Sequence, residues 1–316
     1  MKKIAIWMYE NDNGITVKTK LVLKLKEKGY EVYSNFDMRD CYVENGKVYT
    51  SDGYCLSDVC IFYHMNADEQ NAYQNDILRM LELSGVRVVN SFDAFFKCKD
   101  KVTSNLILRN NSIRVPDSML INNNCSKEFL FSIFEKWKSV IVKPRNNHGG
   151  KGIIKIDNPE LLCDFYDATK DKMTNYYLEK YIPFSEHDYR VEVFDGEVIG
   201  KYCRGKCGTY KTNISSGGSM QDIEVGEEFE KIALKAANVL GVTTTIVDMV
   251  LSEDDGEIYV LEVNPIMGIF LEAGMKAGTK MPVQTDIPSS FKTDDLKINK
   301  IISYLENELS YNREKE

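Results

Sequence analysis

The sequence predicts a mixed α/β and α+β fold in three successive units, and three observations carry that expectation. Apolar runs of strand character alternate with helix-periodic stretches over residues 1–95. Residues 96–182 repeat the mixture around a glycine-rich link that opens directly behind a strand. Residues 183–285 hold further strand-like runs, two of which end beside carboxylates. A Lys- and Glu-rich, helix-like extension follows over residues 286–316.

Each element has its own local reason. KKIAIWMY is apolar and β-favouring, and after the loop ENDNG the stretch TVKTKLVLKLKEKG carries Val17, Leu21 and Leu25 at helical spacing. YEVYSNF, a turn at Asn45 and Gly46, VCIFYH, a helix through DILRMLEL and then VRVVN continue the alternation of a small α/β layer. SFDAFFKCKDKVTSNLIL reads as mostly helical and RVPDSMLI as a strand opened by Pro116, while SKEFLFSIFEKW reads as an amphipathic helix. SVIVKP, the glycine-rich link, GIIKID, a helix near PELLCDFYDA and the strand YYLEKYI complete the middle unit. The third unit has YRVEVF, a turn at DGE, VIGKYCRG, the polar GTYKTNISSGGS, the helix EEFEKIALKAANVLG, and the strands TTIVDMVL and EIYVLEVN. The tail through IISYLENELS has no catalytic pattern and is expected to pack or to cover a surface.

Composition narrows the functions available. With 43% apolar and 28% charged residues, the chain of 316 residues lies within the range of folded proteins and is long enough for an interdomain cleft. A formal charge of -8 and the lack of a basic stripe speak against general nucleic-acid binding. The opening MKKIAIWMYENDNG carries too short an apolar run for a signal peptide or a membrane span, so the expectation is a cytoplasmic protein with no membrane partner. Among eight cysteines only Cys203 and Cys207 lie close together, without the second pair that a zinc site needs. His64, His148 and His187 are too dispersed for a histidine metal centre, so a metal here must be held by oxygen.

Two segments carry the chemistry. IVKPRNNHGGKG sets Lys143 at the end of an apolar strand and follows it with Gly149, Gly150 and Gly152. Such a loop can turn successive amides toward phosphate, with a lysine ammonium to screen the charge, although a flexible connector has the same composition. The string is neither a P-loop nor a dinucleotide fingerprint. Further on, Asp248 lies in TTTIVDMV, and Glu262 and Asn264 stand two apart in IYVLEVNP. Alternate strand residues share a face, so an adjacent strand can join Asp248 to that pair and form the hard-oxygen set Mg²⁺ uses beside phosphates. The competing reading is a turn shaped by Asn264 and Pro265. Lys101 in KCKDKVTS offers a second ammonium, and Glu179 emerges from the middle unit in YYLEKYIP; both also read as ordinary charged positions.

Taken in order, KDKVTS, VPDSMLI, IVKPRNNHGGKG, LEKYIP, DYRVEVFDGEVIG, NISSGGS, TTTIVDMV and YVLEVNPIMG resemble the ATP-grasp superfamily, specifically its glutamate-ligase-like carboxylate-amine branch, over most of residues 1–275. The resemblance implies an N-terminal preATP domain, a central lid and a C-terminal ATP-grasp domain. It also implies ATP and Mg²⁺ as cofactors. Lys101 and Lys143 would contact phosphate, and Glu179, Lys180 and Ile182 would line the adenine and ribose region. Asp248, Glu262 and Asn264 would hold Mg²⁺, while Arg190 and Arg204 would face the acyl phosphate or substrate, with Asn213 framing the reacting groups. PIMG departs from the small-residue loop of many relatives, which leaves the acceptor side less defined.

The implied reaction activates a carboxylate as an acyl phosphate and passes it to an amine, releasing ADP and phosphate. Lysines and Mg²⁺ answer the repulsion between two anions, and a lid hinged at Gly149 and Gly150 would exclude water. Small-molecule carboxylate and amine substrates are expected, an amino acid or small peptide among them, with a carrier-protein thiol as an alternative acceptor and a homodimer as a further expectation. A small-molecule kinase and a nonenzymatic nucleotide sensor are the rival readings.

Overall fold

The computed structural model describes residues 2–8, 12–65, 72–146, 152–206, 208, 210–213, 219–221, 223–267, 270–271, 275–276 and 294–311. The first unit runs β1 (Lys3–Met8), α1 (Asp12–Glu27), β2 (Glu31–Tyr33), β3 (Tyr42–Glu44), β4 (Lys47–Tyr49), β5 (Ile61–Met65), α2 (Ala72–Leu83) and β6 (Arg87–Val89). β2, β1, β5 and β6 form a parallel sheet in that order. Val17, Leu21 and Leu25 are fully buried against it, as their four-residue spacing requires. Asn45 and Gly46 join β3 to β4. Of YEVYSNF only three residues pair as strand.

The stretch expected as mostly helical is two helices, α3 (Phe92–Lys99) and α4 (Lys101–Asn110). Asp100 breaks them apart: its extended backbone ends α3, and its carboxylate caps α4 by accepting from the Val102 amide. Both helices pack on the third unit, with Ala94, Cys98 and Leu108 in its core, although the sequence groups residues from 96 onward with the middle sheet.

The middle unit contains β7 (Ser118–Asn122), α5 (Lys127–Trp137), β8 (Val140–Lys143), β9 (Ile154–Ile156), α6 (Pro159–Thr169) and β10 (Asn175–Lys180). Its antiparallel sheet has the order β7-β10-β8-β9. Val140, Val142, Tyr176 and Leu178 face α5 and α6, so strand alternation turns Ile141, Lys143 and Glu179 to the opposite face.

The third unit consists of β11 (His187–Phe194), β12 (Glu197–Gly205), β13 (Ser219–Gln221), α7 (Glu227–Leu240), β14 (Thr244–Leu251) and β15 (Ile258–Asn264), its sheet ordered β13-β12-β11-β14-β15. Val191, Val193, Cys203, Val247 and Met249 pack with α7, leaving Asp188, Arg190, Arg204 and Asp248 on the other face. The tail forms α8 (Asp294–Tyr311), whose Ile298, Ile301 and Leu305 pack with Ile4, Ile6 and Leu21 of the first unit. Among the described residues no helix is long and apolar enough to cross a membrane.

Candidate active site

The polar faces of the middle and third sheets border one cleft, lined by the apolar Ile141, Ile153, Ile182, Phe184 and Leu261 together with charged groups. Lys143, the last residue of β8, pairs with Glu179 of β10; both side chains are buried. Lys101 enters from the first turn of α4, and its ammonium lies 2.9 Å from Glu262. Register explains how the acidic groups meet. Asp248 of β14 stands directly opposite Glu262 of β15 on one side and Arg190 of β11 on the other. A bulge in the β14–β15 pairing re-aims the chain there, and both Leu261 and Glu262 line the cleft.

The charges are paired tightly. Arg190 reaches Asp248 with Nε 2.7 Å from Oδ1 and with Nη2 donating to Oδ2 at 2.9 Å. Arg204 Nη2 lies 3.3 Å from the same Asp248 oxygen, while its Nε donates to Asp188 at 3.0 Å. Thr212 Oγ1 donates to Asp188 at 2.6 Å. Burial disfavours both guanidinium charges, and Arg190 also opposes that of Arg204, but Asp248 beside Arg190, and Asp188 with Asp248 beside Arg204, carry both pKa values upward. Burial likewise pushes the Glu262 carboxyl up, yet Lys101, Lys143 and Lys99 hold it down at about 2, so it is ionised.

The predicted site residues therefore converge. Lys101, Lys143, Glu179, Lys180, Ile182, Arg204, Asn213, Asp248 and Glu262 all line this cleft. Arg190 joins it through Asp248, and Asn264 follows Glu262 on the same strand face. Both arginines form buried ion pairs, Arg190 with Asp248 and Arg204 with Asp188. Gly152 has φ +76°, and a Cβ there would lie 2.7 Å from Pro144 Cγ, so this turn behind β8 requires glycine. Gly149, Gly150, Cys207 and residues 214–218 lie outside the described residues. Cys203 is buried against α7, and burial pushes its thiol up to about 12, away from redox or metal chemistry.

Sequence reasoning passed over Asp188, Tyr210, Thr212 and Phe184. Asp188 was recoverable, since it stands two residues before Arg190 on one strand and must share its face. The described residues hold no cluster of three His, Cys, Asp or Glu side chains suited to a metal. Asp248 and Glu262 stand opposite each other on β14 and β15, so two carboxylates, with the Asn264 amide two residues on, are the hard-oxygen donors available to a cation there. That set fits Mg²⁺, which takes one or two carboxylates and completes its shell with phosphate and water.

A model of the RimK-like ATP-grasp domain matches residues 98–284. The tetrahydromethanopterin:alpha-L-glutamate ligase of Methanocaldococcus jannaschii is 29% identical over 218 residues, covering 66% of this chain and 70% of that enzyme. The alpha-aminoadipate–LysW ligase LysX of Saccharolobus solfataricus is 23% identical over 256 residues, covering 78% of this chain and 87% of that one. Among solved structures, D-alanine–D-alanine ligase from Bacillus anthracis complexed with ATP superposes with a TM-score of 0.66 at 18% identity, covering 100% of both chains. The ATP-grasp ligase PsnB complexed with a minimal precursor gives 0.64 at 18% identity over 95% of this chain and 99% of that one. At such identities the superpositions establish a shared fold.

Proposed function

Since this chain belongs to the RimK-like ATP-grasp family, we propose that its cleft joins a small-molecule carboxylate to the amine of an amino acid at the expense of ATP. The observation that carries this reading is the meeting of Lys101 and Lys143 with Asp248 and Glu262 in one cleft that also has apolar walls. A carboxylate oxygen attacks the γ-phosphorus and ADP leaves; the amine nitrogen then attacks the acyl carbon and inorganic phosphate leaves. Ile182, Phe184 and Leu261 give the base an apolar bed, with Glu179 and Lys180 at its polar edge. Lys101 and Lys143 lower the repulsion between the two anions. Arg190 and Arg204 offer guanidinium groups to the acyl-phosphate oxygens, and their pairing with Asp248 and Asp188 aims them before substrate arrives. Mg²⁺ held by Asp248, Glu262 and Asn264 would supply further screening of the phosphate charge.

The names of the relatives support L-glutamate and alpha-aminoadipate as the first amino acids to try. A cytoplasmic reaction fits the proposed use of ATP. The test is purified full-length protein with Mg-ATP, a panel of carboxylates and L-glutamate, with hydroxylamine as a surrogate nucleophile. ADP, phosphate and a hydroxamate are expected. AMP with pyrophosphate as primary products would replace the mechanism by adenylation, and a stable phosphorylated product would replace it by a kinase reaction.

A further inference from the structure

Among the described residues β9 is the edge strand of the middle sheet, and one side of it has no strand neighbour there. The side chain of Tyr210 occupies that edge. Its hydroxyl donates to the Ile153 carbonyl at 2.9 Å and accepts from the Lys155 amide at 3.2 Å. These are the two groups that an added strand would engage, and one phenol oxygen serves both. Burial raises the phenol's pKa, which keeps the donating proton in place. Two residues on, Thr212 donates to Asp188, which is paired with Arg204 on the third sheet. Asn213 follows immediately and lines the cleft. The segment 210–213 is thus fixed at one end to the middle sheet and at the other to the sheet that carries Arg190, Arg204 and Asp248.

We propose that Tyr210 is a positioning residue that couples seating of the middle sheet over the nucleotide to placement of Asn213 and Arg204 at the reacting carboxylate. With β9 held against the cleft, the tether fixes Asn213 where the acyl phosphate forms; with β9 displaced, the Tyr210 anchor is lost and the Thr212 anchor remains. The hydroxyl makes this link, while the ring lines the cleft with the Lys211 ammonium 5.7 Å from its centre. The proposal rests on the nucleotide reading of the cleft.

Hydrogen exchange on the full chain, with and without the nonhydrolysable ATP analogue AMPPNP, separates the two ideas. In the wild-type protein AMPPNP should slow exchange in β8 to β10 and also at residues 210–213. Tyr210→Phe should keep the slowing in β8 to β10 and lose at least about tenfold of it at 210–213, the worth of one to two hydrogen bonds. Thr212→Val, which cuts the tether at its other end, should do the same. With hydroxylamine as nucleophile, hydroxamate turnover by Y210F should fall about tenfold to a hundredfold, while AMPPNP affinity changes less than about threefold. Unchanged slowing at 210–213 in Y210F would overturn the coupling alone. Loss of slowing in β8 to β10 as well would make Tyr210 a nucleotide-binding residue and overturn the coupling. No AMPPNP effect anywhere in the wild-type protein would overturn the nucleotide reading and the coupling with it.

Discussion

At Glu262 two demands oppose each other: the carboxylate leaves bulk water, and it gains Lys101 at 2.9 Å with Lys143 and Lys99 nearby. The lysines win, moving the group from 4.5 to about 2. The sign of the pH effect follows. Between those values the unfolded chain binds a proton that the folded chain refuses, so this contribution is complete above 4.5 and is lost as pH falls toward 2. Its upper bound is about 3 kcal/mol. Glu262→Gln should therefore unfold more easily than wild type in urea at pH 7, and the gap should narrow below pH 4.5 and close near pH 2. A gap that is constant with pH would remove the ion pair from the explanation. The placement of Glu262 and Asn264 on one face was legible in their spacing, because strand period is local. Which cations Glu262 and Asp248 would meet was not, since Arg190 lies 58 residues before Asp248 in the chain.

Elements were readable wherever a single segment carries its own pattern, as α1, α5 and α7 do. The division between α3 and α4 shows the limit. Asp100 serves both helices, capping α4 while binding Arg145 of the loop behind β8 through Nε at 2.8 Å and Nη2 at 2.6 Å. Arg145 also accepts from the Lys101 amide through its carbonyl, so the two lysine-bearing segments are held side by side. Asp100→Ala should cost about 1–2 kcal/mol in chemical denaturation through loss of the cap. Asp100→Asn keeps a capping oxygen and gives up only a partly exposed ion pair, so it should recover all but about 1 kcal/mol. Equal losses in the two variants would shift the weight from the cap to the ion pair.

Across the whole molecule, α8 joins the first and third units. Lys297 of α8 pairs with Glu192 of β11, and both side chains are almost wholly inaccessible. Gly200 on β12 makes room for this pair, since a Cβ there would lie 2.6 Å from the Glu192 carboxylate. Phe194 of β11 stacks edge-on with Tyr304 of α8 at 5.5 Å, continuing the same contact. Lys297→Met takes the ammonium away from a buried carboxylate and should cost about 3–5 kcal/mol, whereas adding Glu192→Met should restore most of the loss. A double-mutant cycle in urea measures this, and additive effects of the two substitutions would mean that the pair contributes no coupling.

By itself the sequence determined the kind and order of most elements, the glycine turn behind β8, and the strand face that Glu262 and Asn264 share. Each depends on period, turn chemistry or capping within a few residues. The motif order was also sufficient for the family and its carboxylate-amine chemistry. Tertiary structure alone decided that α3 and α4 pack on the third sheet and that α8 shares a core with the first unit. It also decided that Asp248 lies between Arg190 and Glu262 and that Tyr210 reaches the edge of β9. Those outcomes depend on the register and packing of segments far apart in the chain, such as Lys297 and Glu192 at a separation of 105 residues. An amphipathic helix states which face it must bury and leaves open which sheet will bury it.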